Sequence, residues 1–464
     1  MAGTGWRNAP RAFCILAGLP MLAACSDEPY KAPVFPFLSA YKSAPDGAPV
    51  LLSNADWWKS FDDPTLDALV MAGLEGSLDL DLAKERVREA EAIQRTVPQS
   101  AFLSPRAGAR RERDETGRTR SGSEASLGFE WILDIYGGRR AQIDAAAARI
   151  EVADAEVDAA RLLLLLNIAN TYIDLRYQQT SLALRRSELA SRSQTLELIE
   201  RLQEGNAATE VDAVRARALV SETRSEIPEI RATITAAKNE LAVLLGRVPG
   251  TLEIDLDAAP RQPRVALSPE VGIPADLLRN RPDIKVAERS YYAAFRDVAG
   301  ARADLYPQLS LSGTITRSSL SGSTGTEYFF GPALTFPVLP GTAQRARVEQ
   351  RQSLVRQAHT QWQLTVLEAI RDVESALVEY SAALSSRRAA EQTVRLYKEV
   401  VTLTRQIVTR DGATIRDLID AEQNVAIANT TLADTLRRAT RSYVALNVNL
   451  GSGHAVGAEN NTGE

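Results

Sequence analysis

Apolar residues along this chain keep two different beats, and each beat predicts a different kind of element. From Arg139 to Gln203 about 65 residues pass without proline or glycine. At about 1.5 Å per residue they predict one helix near 100 Å long. Ile143, Ile150, Val157 and Leu164 fall every seventh position. A step of four leads to Ile168, and the beat resumes through Leu175, Leu182, Leu189 and Leu196. Ala146, Ala153 and Ala160 follow three positions behind. A sustained heptad marks helices that supercoil around neighbours, and an inserted four relaxes that supercoil locally. The design recurs from Gln344 to Thr409. One track there holds Val366, Val373, Tyr380, Val394, Val401 and Val408, broken by Arg387. Another holds Val348, Val355, Trp362, Ala369, Ala376, Ala383 and Ala390. A shorter helix is expected from Thr209 to Leu245, on the heptad Val220, Ile227, Ile234 and Leu241, with a kink at the interior Pro228. Asp63-Pro64 reads as a helix start, and the helix is expected to run to about Val97 with a break near Gly73–Gly76.

Between the helices the period changes to two. Ala125, Leu127, Phe129 and Trp131 alternate with Ser126, Gly128 and Glu130. Leu309, Leu311 and Ile315 alternate with Gln308, Ser310, Ser312, Thr314 and Thr316, and Phe330, Leu334, Phe336 and Val338 lie opposite Thr335. Strict alternation predicts strands with one apolar and one polar face. Two hairpins are expected. The first pairs 106–112 with 123–133 across a polar tip at Asp114–Arg118, and its first arm is unusually rich in arginine.

The second half of the chain replays the first some 202–207 residues later, which reads as an internal duplication. Asp79-Leu80 pairs with Asp283-Ile284, Ser104-Pro105 with Tyr306-Pro307, Gly138 with Gly341, Gly205 with Gly412, Asp212-Ala213 with Asp420-Ala421, and Gly246 with Gly451. The expected divisions are a signal segment 1–24, an extended segment 25–62, rich in proline, serine and alanine and expected to lie on the surface, a first repeat 63–250 with strands at about 104–133, and a linker 251–272. A second repeat 273–451 with strands at about 305–338 and a polar tail 452–464 complete them.

One chain therefore offers four strands and about four long helices. Four strands cannot close a barrel, and an open edge in lipid leaves backbone groups unsatisfied. Three copies would supply twelve, an even number within the range of outer-membrane barrels. Their helices would continue it as a tube. The expected fold class is an α+β membrane protein: coiled-coil helices forming a periplasmic α-barrel, plus a four-strand share of a trimeric twelve-stranded β-barrel.

Composition narrows the chemistry. A formal net charge of −5 with mixed signs argues against a nucleic-acid partner. The two cysteines, Cys14 and Cys25, cannot build a disulfide framework or metal cluster, and His359 and His454 are far apart. No nucleophile–base set, phosphate loop or metal cluster is found, so neither enzyme activity nor cofactor nor metal is expected. Arg7 and Arg11 precede an apolar run, Ala12–Leu22, too short to cross a bilayer. The run ends in Leu22-Ala23-Ala24-Cys25, which resembles a bacterial lipobox, with the Cys25 thiol as acyl acceptor. The following Ser26 implies sorting to the outer membrane.

The lipobox, the duplication and the string Ile273-Pro274-Ala275-Asp276-Leu277-Leu278-Arg279-Asn280-Arg281-Pro282-Asp283-Ile284 resemble the TolC/OprM family of outer-membrane efflux channels. The nearest group is the NodT-like lipoproteins of RND (resistance–nodulation–division) pumps, and the likeness covers residues 50–455. It implies a homotrimer anchored in outer-membrane lipid, docked to a periplasmic adaptor and an inner-membrane RND-type transporter, passively conducting small molecules outward. It also implies docking tips at the turns around Gly205 and Gly412, and a periplasmic gate beside the second. Asp417 and Asp420 match acidic positions that narrow the family's entrance. Thr414 stands where another entrance aspartate would align, and Arg416, with Arg410, is placed for closing ion pairs. The spacing from Gly412 is one residue short, and Glu422 stands where the family has glutamine. Asp417 and Asp420 read equally as solvated helix-start residues favoured by the helix dipole. A type I secretion channel is the alternative within the class, and a periplasmic adaptor the alternative outside it.

Overall fold

The computed structural model describes residues 30–43, 56–97, 100–113, 115, 117, 119–205, 208–258, 260–264, 275, 280–320, 323–337, 341–408 and 414–453. Cys25, Gly412, Arg410 and most of the string 273–279 lie outside them. The chain divides into two compact units.

One unit gathers the chain up to Pro33 with Arg95–Ala146 and Tyr292–Arg356. Its centre is an antiparallel sheet in the order β1-β2-β3-β4, made of β1 (Ala101–Arg113), β2 (Thr119–Leu133), β3 (Gln308–Leu320) and β4 (Ser323–Thr335). The first strand begins earlier than its arginines suggest, because Phe102, Leu103 and Pro105 pair with Glu130, Phe129 and Leu127. Phe336 lies beyond the end of β4, and Val338 lies outside the described residues. Residues directly opposite one another share a face. Leu103, Phe129, Gly313 and Phe330 therefore form one row, and Pro105, Leu127, Ile315 and Tyr328 the next. Proline cannot donate to a ladder. Pro105 and Pro332 sit in β1 and β4, the two edge strands of this sheet.

The other unit holds Val34–Gln94, Ala147–Tyr291 and Gln357–Glu464. Two long helices, α3 (Gly138–Glu204) and α6 (Thr342–Val408), have 67 residues each, and α4 (Glu210–Leu244) and α7 (Ile415–Asn449) have 35 each. The shorter helices among the described residues include α1 (Pro64–Gly76), α2 (Leu78–Thr96) and α5 (Pro282–Ala303). Asp63 starts α1 by accepting the backbone N–H groups of Thr65 and Leu66, and its other carboxylate oxygen accepts the Tyr172 hydroxyl at 2.6 Å. The core runs through the middle of the stripes. Leu164, Ile168 and Leu175 of α3 are buried, as are Trp362, Val366, Ala369, Val373 and Tyr380 of α6. Val220, Ile227, Ile234 and Leu241 of α4 are buried as expected, and α4 runs through Pro228 as one element. Ile143 departs from expectation: it is exposed, and Ala145 and Ala146 beside it are buried. Small residues let backbones approach, and there the contact is made by alanines. The segment 25–62 is also not wholly superficial. Trp57–Phe61 forms a 3-10 helix whose Trp57, Trp58 and Phe61 are buried. Each such side chain contributes about 1.5–3 kcal/mol.

Caps and turns fix the register of the duplication. Gly246 and Gly451 have φ of +67° and +77°, and a Cβ on either would strike a backbone carbonyl oxygen, that of Gly76 or of Asn280. Gly137 and Gly341, at φ +70° and +74°, open α3 and α6. Gly137, not Gly138, is thus the partner of Gly341. Thr209 and Thr414 cap α4 and α7, so Asp212 pairs with Asp417 and not with Asp420. Ser104 and Pro105 lie within β1, whereas Pro307 precedes β3, so those dipeptides are not equivalent.

Candidate functional site

Of the expected gate and docking residues, Gly205, Thr414, Arg416, Asp417 and Asp420 are described, and they sit where α3 ends and α4 and α7 begin. α3 stops at Glu204, and the Gly205 N–H donates to Arg201 O at 3.4 Å. A small core of Ile199, Ala213, Ala216 and Ile419, with Leu196, Ala208 and Leu219 against it, packs the start of α7 onto the α3–α4 hairpin. Leu418 and Ile419 are buried, and Asp417 and Asp420 on either side of them are exposed.

Thr414 and Asp417 form a capping box. The Asp417 carboxylate accepts the Thr414 N–H at 2.9 Å and its hydroxyl at 2.7 Å. The Thr414 hydroxyl oxygen accepts the Asp417 N–H at 3.3 Å. Such a box satisfies two orphan donors of the first turn. Thr209 and Asp212 repeat it at α4, with 3.1 Å and 2.6 Å on the carboxylate. Hydrogen bonds from Thr414 hold the Asp417 carboxyl below the usual carboxylate range, and those from Thr209 do the same for Asp212. Arg416 is exposed, and its charge adds smaller stabilising fields at both carboxylates.

One turn further along α7, Glu422, which stands where the family has glutamine, is a junction between helices. Its side chain is only 11% exposed and pairs with Arg405 of α6 at 2.8 Å. It also accepts the hydroxyls of Ser191 at 3.1 Å and Thr195 at 3.0 Å, both on α3. A single carboxylate thus ties three helices. Ser191 and Thr195, one turn apart beside the Leu189–Leu196 stripe, are the signal that a polar partner was due there. Arg192 crosses from α3 to α4 by donating to Leu219 O at 3.0 Å, and Arg185 does so through Glu226 at 2.8 Å. Among the described residues no group of three or more His, Cys, Asp or Glu could hold a metal ion, and no helix is long and apolar enough to cross a membrane.

A helix-dominated fold with one four-stranded sheet, repeated in halves, is the architecture of outer-membrane channels. The model of the outer membrane efflux protein family matches the chain twice, over residues 69–247 and 273–452, and the chain belongs to that family. Nodulation protein T of Rhizobium leguminosarum bv. trifolii is 32% identical over 422 residues, covering 87% of this chain and 90% of that protein. The toluene efflux pump outer membrane protein TtgI of Pseudomonas putida is 26% identical over 464 residues, covering 94% of this chain and 97% of TtgI. The solved structure of the outer-membrane channel OprN superposes with a TM-score of 0.85 at 26% identity, covering 92% of this chain and 99% of OprN. The protein is an outer-membrane component of efflux, a channel of Gram-negative bacteria.

Proposed function

We propose that three copies of this chain assemble into the passive exit duct of a tripartite pump. The observation that carries this is the open four-stranded sheet with one continuous apolar face, exposed in a single chain at Leu103, Leu127, Trp131, Ile315, Phe330 and Leu334. An exposed apolar face of that extent calls for lipid on one side and further strands at both edges. Twelve strands from three copies satisfy every edge. The helices of three copies would line the periplasmic part, with Cys25 acylated at the membrane. An adaptor would dock on the turns at Gly205 and Gly412, and an inner-membrane RND-type transporter would supply the energy. TtgI is named as part of an efflux pump, which supports that arrangement.

The gate in this reading lies at the start of α7. Both carboxylates are exposed, but Asp417 is committed to the cap it forms with Thr414, which leaves Asp420 as the gate carboxylate. Three copies of Asp420 around a narrow axis would concentrate cations and repel anions. Arg416 would balance that charge in the closed state, and Glu422 would hold α7 to α3 and α6 until the hairpins part. The test is dye accumulation in cells lacking this chain and its close relatives. Re-expression is expected to lower accumulation only when the cognate inner-membrane pump is present. Unchanged accumulation, together with restored export of a protein substrate, would favour the type I secretion reading instead.

A further inference from the structure

The arginine-rich first strand is not explained by conduction. β1 and β2 carry Arg106, Arg110, Arg111, Arg113 and Arg120, and β3 adds Arg317. The register sorts them by face. Arg111 lies opposite Ser121, Arg113 opposite Thr119, and Arg317 opposite Ala125 and Thr326. These three share the face of Leu103, Leu127, Ile315 and Phe330. Arg106, Arg110 and Arg120 share the other face, where Arg110 pairs with Glu112 at 3.4 Å. All four glutamates of the strands, Glu112, Glu124, Glu130 and Glu327, lie on that second face. The apolar face therefore holds three arginines and no acid in its strands.

The arginines on the apolar face are also sorted along the strands. Arg111 and Arg113 close β1 at its hairpin tip, and Arg317 follows Ile315 toward the tip of β3. All three are exposed. From Leu309 to Ile315 the apolar rows span about 20 Å of strand at about 3.4 Å per residue, and Arg317 stands about 7 Å further on. The cations thus begin where the hydrocarbon-facing rows end, toward the strand ends that meet at the hairpin tips. A guanidinium is a bidentate partner for phosphate, and its stem can lie along apolar surface while the head reaches the interface.

We infer that Arg111, Arg113 and Arg317 form an outward-facing site for the phosphate groups of lipid headgroups in the outer leaflet of the outer membrane. The site rests on the barrel proposed above. It gives the channel an annulus of tightly held anionic lipid and fixes its depth in the bilayer. Near an anionic surface each arginine is good for roughly a fivefold preference (about 1 kcal/mol), so the three together give on the order of 100-fold per copy.

The test uses the full-length lipidated protein in detergent. It is titrated with diphosphorylated lipid A, with the same lipid stripped of phosphate, and with inorganic phosphate, and bound lipid is counted by native mass spectrometry. The wild type is expected to retain the phosphorylated lipid selectively, and inorganic phosphate not to displace it. The triple variant R111Q/R113Q/R317Q is expected to lose that selectivity by on the order of 100-fold. R106Q/R110Q/R120Q should match the wild type, and R111K/R113K/R317K should keep most of it, which guards against misfolding of the glutamine form. Equal retention of both lipids by the wild type, equal losses in both glutamine variants, or displacement by inorganic phosphate would overturn the inference. Carbonate extraction of the same chain separates the two readings. A chain that leaves the membrane contradicts the barrel itself, whereas an integral chain without phosphate selectivity contradicts only the lipid site.

Discussion

Asp417 commits its carboxylate to the helix that it starts. Its folded-state pKa is depressed, so its contribution to stability is full above the unfolded carboxylate pKa and is lost as pH falls through the lower, folded value. Asp212 behaves in the same way. Protection factors of the first-turn amides of α4 and α7, which correct exchange for its intrinsic pH dependence, are therefore expected to hold steady from neutral pH down to about 4 and to fall below it. D212N and D417N should abolish that acid step. Thr414→Ala should loosen α7 by about 1 kcal/mol without altering ion selectivity, whereas Asp420→Asn should reduce cation selectivity in planar bilayers without loosening α7. An unchanged selectivity in Asp420→Asn would remove it from the gate. Glu422 belongs to a different class, because it joins helices. Glu422→Gln keeps its shape and loses the ion pair with Arg405. It is expected to raise the single-channel conductance or open probability, and conductance identical to wild type would contradict its holding role.

At the scale of elements, much was legible. The heptads placed α3, α4 and α6 to within a residue or two, because a stripe repeated over many turns leaves no other way to bury itself. The alternation in Leu309–Ile315 gave β3 its two faces for the same reason. What escaped was of two kinds. Local caps outrank sequence similarity in fixing register: Asp212 resembles Asp420 through the following alanine, yet the Thr-x-x-Asp box equates it with Asp417. Tertiary partners were also invisible, as with Trp57 and Trp58, whose proline-rich neighbourhood suggested surface while their rings enter the core. The junction at Glu422 escaped because its three partners come from two other helices. Two changes test the elements. Pro228 is exposed in the middle of α4, so Pro228→Ala restores a helix hydrogen bond and should stabilise the hairpin by up to about 3 kcal/mol in thermal melts followed by circular dichroism. On the sheet, Leu127→Arg puts a charge on the apolar face at about 2–4 kcal/mol per copy and should block membrane insertion, whereas Ser126→Arg on the opposite face should be tolerated. Equal insertion of both variants, read by membrane fractionation, would invert or abolish the assigned faces.

At the scale of the whole molecule the duplication supplies pairs: two hairpins of strands, two long helices, two capped shorter ones. One chain can hold all of these and still leave both sheet edges and the apolar sheet face uncovered. That incompleteness is the strongest argument for assembly, since backbone groups at an edge within lipid would each cost several kcal/mol. The central claim is therefore a threefold conduit, and the direct measurement is electron microscopy of the lipidated, detergent-purified protein. The account predicts threefold particles with a detergent belt around a closed twelve-stranded barrel and a helical tube extending from it. A monomer, or a helical rod with no belt, would contradict it.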